Sequence, residues 1–163
     1  MKFLVDSSLG RLSKWLRILG YDTVYWRGAA DRSLLRKAEK EGRAVLTRRK
    51  DMLKRNHSGI VVLVENDRME HQIGEVLGKL SLAPEPGKFF SVCLHCNAPL
   101  KEVQSDEIRP QVPDYVYQTQ RAFRLCALCG RIYWPGTHRD RAMKTIARLL
   151  ESKGGDKPQT QGE

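Results

Sequence analysis

No apolar run in this sequence is long enough to cross a bilayer. The longest unbroken aliphatic stretch covers residues 60–64, against the roughly 20 residues a membrane helix needs. The opening MKFLVDSSLG also lacks the apolar continuation of a signal peptide, because Asp6 interrupts it. Both absences point to a protein that stays in the cytoplasm. Acids are in short supply, with 19 Asp and Glu against 29 Lys and Arg, so the formal net charge is +10. Such a surplus sets up a positive field, whose commonest partner is nucleic acid; a merely basic soluble surface is the alternative. Cysteine is scarce too. The four present point, in a reducing compartment, to a metal rather than to disulfides. The chain has no internal repeat.

What is present suits a folded protein: 163 residues, 40% hydrophobic and 29% charged, enough for one domain with a small appendage. KFLVD reads as a buried strand. Leu9, Leu12, Leu16 and Leu19 then recur at helical spacing, with Gly20 as a stop. YDTVYW alternates like a strand, residues 33–41 look helical with Gly42 closing them, and RAVLT is a third strand followed by a charged short helix from Arg48. GIVVLV, wholly apolar, reads as a fourth strand buried on both faces. A helix over 69–80 follows. The alternation predicts an α/β fold, a parallel sheet flanked by helices, over residues 1–86. The Pro- and Gly-bearing stretch SLAPEPGKFF breaks the pattern. Beyond it, 87–152 is expected to hold a small four-cysteine zinc ribbon and a C-terminal helix over 140–152, with Ala142, Met143, Ile146, Ala147 and Leu150 inward. Residues 153–163 have nothing apolar to bury and are expected to be a disordered tail.

Cys93 and Cys96 form one C-x-x-C and Cys126 and Cys129 another, within CLHCN and CALCG. Two such pairs can close a tetrahedral four-thiolate shell around zinc. A closed shell leaves no position for water or substrate, so this ion would be structural. Two other readings stay open: a thioredoxin-like redox pair, and a site in which His95 or His138 replaces a sulfur. Tyr133 and Trp134 are expected to pack against the clasp rather than stack on bases, and the interval between the pairs to hold a hairpin or loop.

Ligands of parallel sheets gather at the carboxyl ends of the strands. The acids expected there are Asp6 after the first strand, Asp31 before the second helix, Asp51 beyond the third strand, and Glu65 and Asp67 after the fourth. Converging carboxylates can hold magnesium or manganese, which activate water and neutralise charge in phosphodiester cleavage. Each acid also has a plain structural reading: Asp31 as a helix cap, Asp51 as a partner of Lys54 or Arg55, Glu65 and Asp67 as turn residues, Asp6 as a cap of the helix near Leu9. Arg11, Lys14 and Arg17 beside Asp6, and Arg48, Arg49 and Lys50 around Asp51, would frame the acids with phosphate-binding groups. An acid cluster in a positive frame suits a nuclease acting on RNA.

FLVDSSLGRLSKWLRILGYDT, DRSLLRKAEKEGRAVLTRRKDML, CLHCNAPL and CALCGRIYWPGTH, in that order, resemble the Mut-seven C-terminal RNase domain family. The resemblance implies a PIN-like fold with an inserted zinc ribbon, and a metal-dependent ribonuclease whose acids would be Asp6, Asp31 and the aspartate of a Thr-Arg-Asp motif. Here that motif reads Thr47-Arg48-Arg49. A guanidinium cannot coordinate magnesium, and Asp51, two positions on, is an imperfect substitute. Two expectations follow: an active ribonuclease using Asp6, Asp31 and Asp51, or a nucleic-acid-binding module in which Arg49 holds a phosphate where a metal would sit.

Overall fold

A computed structural model describes residues 1–151; the expected disordered tail and the last position of the expected C-terminal helix lie outside the described residues. Four short strands pair in parallel, β1 (Lys2–Val5), β2 (Asp22–Tyr25), β3 (Ala44–Thr47) and β4 (Val61–Leu63), in the order β2-β1-β3-β4. Between them run α1 (Gly10–Ile18) and α2 (Arg32–Glu41), and α3 (Met69–Lys79) follows β4. Successive strand residues point to opposite faces. Phe3, Val5, Ala44, Leu46 and Val62 therefore meet Leu12 and Leu16 of α1 and Ile73, Val76 and Leu77 of α3 on one side. Leu4 and Val45 meet Leu34, Leu35 and Ala38 of α2, with Met52, on the other. The predicted parallel sheet flanked by helices is thus what forms.

Two details differ from the sequence expectation. β4 is an edge strand, with Val61 and Leu63 only half-buried, because no fifth strand pairs with it among the described residues; apolar composition cannot tell an edge from a centre. The helix expected from Arg48 is a single 3-10 stretch, Lys50–Lys54.

The segment between the cysteine pairs carries more than a hairpin. After β5 (Lys101–Val103) come two short helices, α4 (Ser105–Ile108) and α5 (Asp114–Thr119), before β6 (Phe123–Leu125) and β7 (Ile132–Tyr133) complete an antiparallel sheet in the order β5-β6-β7. Ile108, Val112 and Val116 close over Phe123 as a small core of their own. The signal for α4 was present: Gln104 and Glu107 form a reciprocal capping box. The last helix, α6 (Thr137–Glu151), starts three residues before the expected Asp140. It buries Ala142 and Ile146, the latter in the core shared by α1 and α3, while Met143 and Ala147 stay exposed. No helix among the described residues is long and apolar enough to cross a membrane.

Candidate functional site

Both cysteine knuckles turn the same way. Cys93 and Cys126 each donate a backbone N–H five residues ahead, to Ala98 and Arg131, and each accepts one from four residues ahead, Asn97 and Gly130. That fourth residue sits in the left-handed region, at φ 65° for Asn97 and 69° for Gly130, where glycine costs nothing and asparagine is tolerated. The turns bring all four sulfurs within 4.8 Å of one another. Zn–S bonds of about 2.3 Å place tetrahedral sulfurs roughly 3.8 Å apart, and Cys93 to Cys129 measures 3.7 Å and Cys96 to Cys126 3.3 Å. The donor set thus fits a structural metal such as zinc, and neither histidine belongs to it. The Tyr133 hydroxyl lies 3.1 Å from the Cys93 sulfur, so Tyr133 does pack against the clasp. Four large buried side chains supply about 1.5–3 kcal/mol each. The unit would gain on the order of 10 kcal/mol or more from an ion held there, more than from any one of these side chains.

Arg17 departs from the expected role. It is 6% exposed, and its guanidinium donates to the carbonyls of Thr23 at 2.8 Å, Leu94 at 2.8 Å and His95 at 3.2 Å. It ties α1 and β2 to the first knuckle and is not available to a phosphate. Burial lowers its pKa, an effect countered by Cys93, Cys96 and Asp22. Asn97 continues the seam, accepting from the Thr23 N–H at 2.7 Å and donating to Asp22 at 2.5 Å. The sequence reading missed Asn97; its signal was its place in the knuckle, matching Gly130.

The carboxylates stand at the opposite end of α1. In the order β2-β1-β3-β4 the connections out of β1 and β3 run to opposite sides of the sheet, and that switch point is where open parallel sheets leave a crevice. Asp6 leaves β1 there. It is 2% exposed; one oxygen accepts from the Ser8 N–H and hydroxyl, the other from the Thr47 hydroxyl and, at 3.4 Å, the Arg48 N–H. Thr47, buried at the end of β3 and the one polar residue in that strand, was read from sequence only as the first position of the Thr-Arg-Asp motif and not as a partner of Asp6. Asp6 also caps the 3-10 turn Ser7–Leu9, so the capping reading and the site reading share one residue.

Asp31 caps α2, accepting from the Ser33 N–H at 2.8 Å and hydroxyl at 2.6 Å, and these bonds lower its pKa. Asp51 is gripped at both oxygens by Arg49, at 2.9 Å each, and by Arg55 at 3.0 Å, which holds its carboxyl down to about 2. The same contact raises Arg49, and the charges of Asp6 and Asp31 raise it further. Arg49 therefore lies within the field of all three candidate acids. The cysteines are, among the described residues, the one set of three or more such groups gathered within 4.8 Å; the acids share a rim without meeting at one point. Arg48 pairs with Asp67 at 2.5 Å, and Lys79 lies 3.7 Å from Glu65, whose backbone N–H is held by Glu75. Arg11, Lys14, Arg48, Arg49 and Lys50 are exposed and open to a polyanion.

Among known families, the one described as the Mut7-C RNAse domain matches residues 1–146 of this chain. No curated protein and no solved structure gives a match.

Proposed function

Because the chain belongs to the Mut7-C RNAse domain family, whose function is ribonuclease-like in general kind, we propose that it hydrolyses RNA phosphodiesters at the carboxyl rim of its PIN-like sheet. The observation that carries this reading is the switch point itself: Asp6 from β1 and Thr47 with Arg48 from β3 are hydrogen-bonded across it, with Asp31 and Asp51 acting on the adjoining Arg49. Magnesium or manganese needs only one or two protein carboxylates when substrate phosphate completes its shell, and Asp6 and Asp31 are the residues that would hold it. Such an ion would neutralise phosphate charge and activate water. The chain's own contribution is to bind and orient. Arg48 and Lys50 draw the backbone phosphate to the rim, and the Thr47 and Ser8 hydroxyls fix the Asp6 carboxylate. Asp51 is locked by Arg49 and Arg55.

The domain division at Pro86 belongs to the same proposal: a catalytic sheet unit over 1–86 and a zinc-held unit over 87–152, with α6 returning to pack on the first. A cytoplasmic, reducing location suits a thiolate-held ion.

A second reading is favoured by one observation, the two-pronged Arg49–Asp51 pair, which puts a cationic side chain where the family motif has an acid. In it the rim binds RNA without cutting it. Purified protein incubated with single-stranded RNA and manganese, beside an Asp6→Asn control, separates the two. Cleavage abolished by the substitution is expected; salt-sensitive binding without cleavage in the wild type would replace the enzyme with the module.

A further inference from the structure

Far from the acid rim, at the other end of α1, lies a cleft of about 530 Å³ between Ile18, the strands of the zinc-held sheet and the start of α6. Its walls combine aromatic faces with cations. Aromatic faces are present: Phe90, half-buried, and Trp134, which also lines a second hollow on its far side together with the exposed Tyr115. Between them stand cations. Arg139 holds its guanidinium 5.2 Å from the centre of the Phe90 ring, and Arg121 and Arg124 border the same space. One carboxylate, Glu102, faces these three arginines, and it is engaged by Arg124 at 3.3 Å. Among the described residues neither Arg121 nor Arg139 has a carboxylate partner. An apolar ligand or an acidic peptide would use one half of this lining and leave the other unmatched. Unpaired bases with their phosphates match both, since every base has a face to stack and every nucleotide a charge to neutralise.

We propose that this cleft holds single-stranded RNA, with bases against Trp134 and Phe90 and phosphates at Arg121 and Arg139. Arg124 serves as the wall that positions Phe90: it donates to the Phe90 carbonyl at 3.0 Å. The left-handed backbone at Phe90, φ 57°, turns the ring into the cleft while its N–H is held by the Ile18 carbonyl at 2.8 Å. Trp134 thus has a role beyond packing beside the small ribbon core.

The cleft and the rim are joined by one helix face. Arg11, Lys14 and Ile18 stand at positions i, i+3 and i+7 of the helical path, Arg11 and Lys14 are exposed, and Ile18 borders the cleft. The nine residues of α1 span about 13 Å at about 1.5 Å each, a distance a few nucleotides of an unpaired strand cover. A strand anchored in the cleft and laid along these cations arrives at Asp6. The inference deepens the ribonuclease reading and rests on it only for where the strand leads.

The test separates binding from cutting. Fluorescein-labelled 12-mer oligouridine is titrated against the full chain carrying Asp6→Asn, with and without the pair Arg121→Glu and Arg139→Glu, both at exposed positions. The pair is expected to weaken binding by more than about tenfold and to flatten the dependence of log affinity on log salt by about 1.4, two contacts at about 0.7 each. Unchanged affinity and salt slope in a variant with normal zinc content and circular dichroism would overturn the cleft. A second measurement needs no variant: oligouridine bearing 4-thiouridine, photoactivated on the full chain, is expected to cross-link to Phe90 or Trp134. Adducts confined to the rim around Arg48 to Lys50 would overturn the inference. Loss of manganese-dependent cleavage in the wild-type chain, with the cross-links retained, would remove the ribonuclease reading and leave the cleft standing.

Discussion

At one end of α1 four sulfurs come within 4.8 Å of one another, with the Tyr133 hydroxyl on Cys93 and a backbone N–H beside it. At the other end three carboxylates reach the same rim, and each is already held by donors of its own: Asp6 by Ser8 and Thr47, Asp31 by Ser33, Asp51 by Arg49 and Arg55. The difference follows from how each set is carried by the chain. The cysteines come in two local turns whose geometry is fixed within five residues, so only one long-range docking is needed to close the shell. The acids sit on three separate elements, and their meeting depends on helix caps and loops that have hydrogen-bonding needs of their own. A cation built into the rim, Arg49, then competes for the very charges that a metal would use.

Breaking the sulfur end should have the largest effect. Cys126→Ser, or removal of metal by a chelator, is expected to cost on the order of 10 kcal/mol to the residues beyond Pro86. Hydrogen exchange should show amides around Phe123 losing protection while β1 and β3 keep theirs. Loss of protection across both sheets together would mean that the two regions do not stand apart as described. Next comes the seam. Arg17→Met leaves three carbonyls without their charged donor and is expected to lower stability by about 3 kcal/mol, seen as a fall in Tm of roughly 6–12 °C. Oligouridine affinity should not change, since Arg17 is buried and its donors are taken by carbonyls; a loss of affinity at unchanged Tm would restore it as a phosphate contact.

The acid end should respond to smaller changes. Arg49→Asp restores the family's Thr-Arg-Asp motif and removes the competing cation. Manganese-dependent cleavage is expected to rise at least about tenfold, the ratio given by about 1.4 kcal/mol of transition-state stabilisation; a fall would show that the guanidinium itself serves the reaction. Asp31 can be divided between its two roles. Asparagine caps a helix about as well as aspartate and alanine does not. Asp31→Asn should leave Tm in place and reduce cleavage, whereas Asp31→Ala should lower both, and equal cleavage by Asp31→Asn and wild type would reduce Asp31 to a cap.

The smallest effect concerns pH. Asp51 has its folded-state pKa depressed to about 2 by Arg49 first and then Arg55. Its contribution to stability is therefore fully present above about pH 4 and lost as pH falls through about 2. A carboxyl-carbon NMR titration should find the Asp51 midpoint near that value in the wild type and close to the ordinary aspartate value in the double variant Arg49→Ala, Arg55→Ala. An unchanged midpoint would mean that neither arginine holds it.

Much of this was legible in the residues. Period-two and period-3.6 patterning marked β1 through α3, because strands and helices of a layered fold must present apolar side chains to a common core, and Gly42 marked the end of α2 through its left-handed turn. The cysteine spacing announced the clasp because the local turn alone brings each pair together. Less legible was Arg17, whose basic, helix-surface position looked like a phosphate contact; no local pattern shows that a distant knuckle will cover it. The same holds for α4 and α5, whose helical signals are shorter than the windows in which periodicity can be counted.

Sequence by itself determined the alternation of strand and helix, the two thiol turns, the surplus of positive charge and the arginine standing in the Thr-Arg-Asp position, since each depends on residues close together in the chain. Tertiary structure alone decided that Asp6 and Thr47 meet across the switch point, that Arg17 fastens the two regions, and that Phe90, Trp134 and Arg139 border one cleft. Those contacts join residues tens of positions apart, and only the packing of the sheet, α1 and the four-cysteine unit brings them within reach.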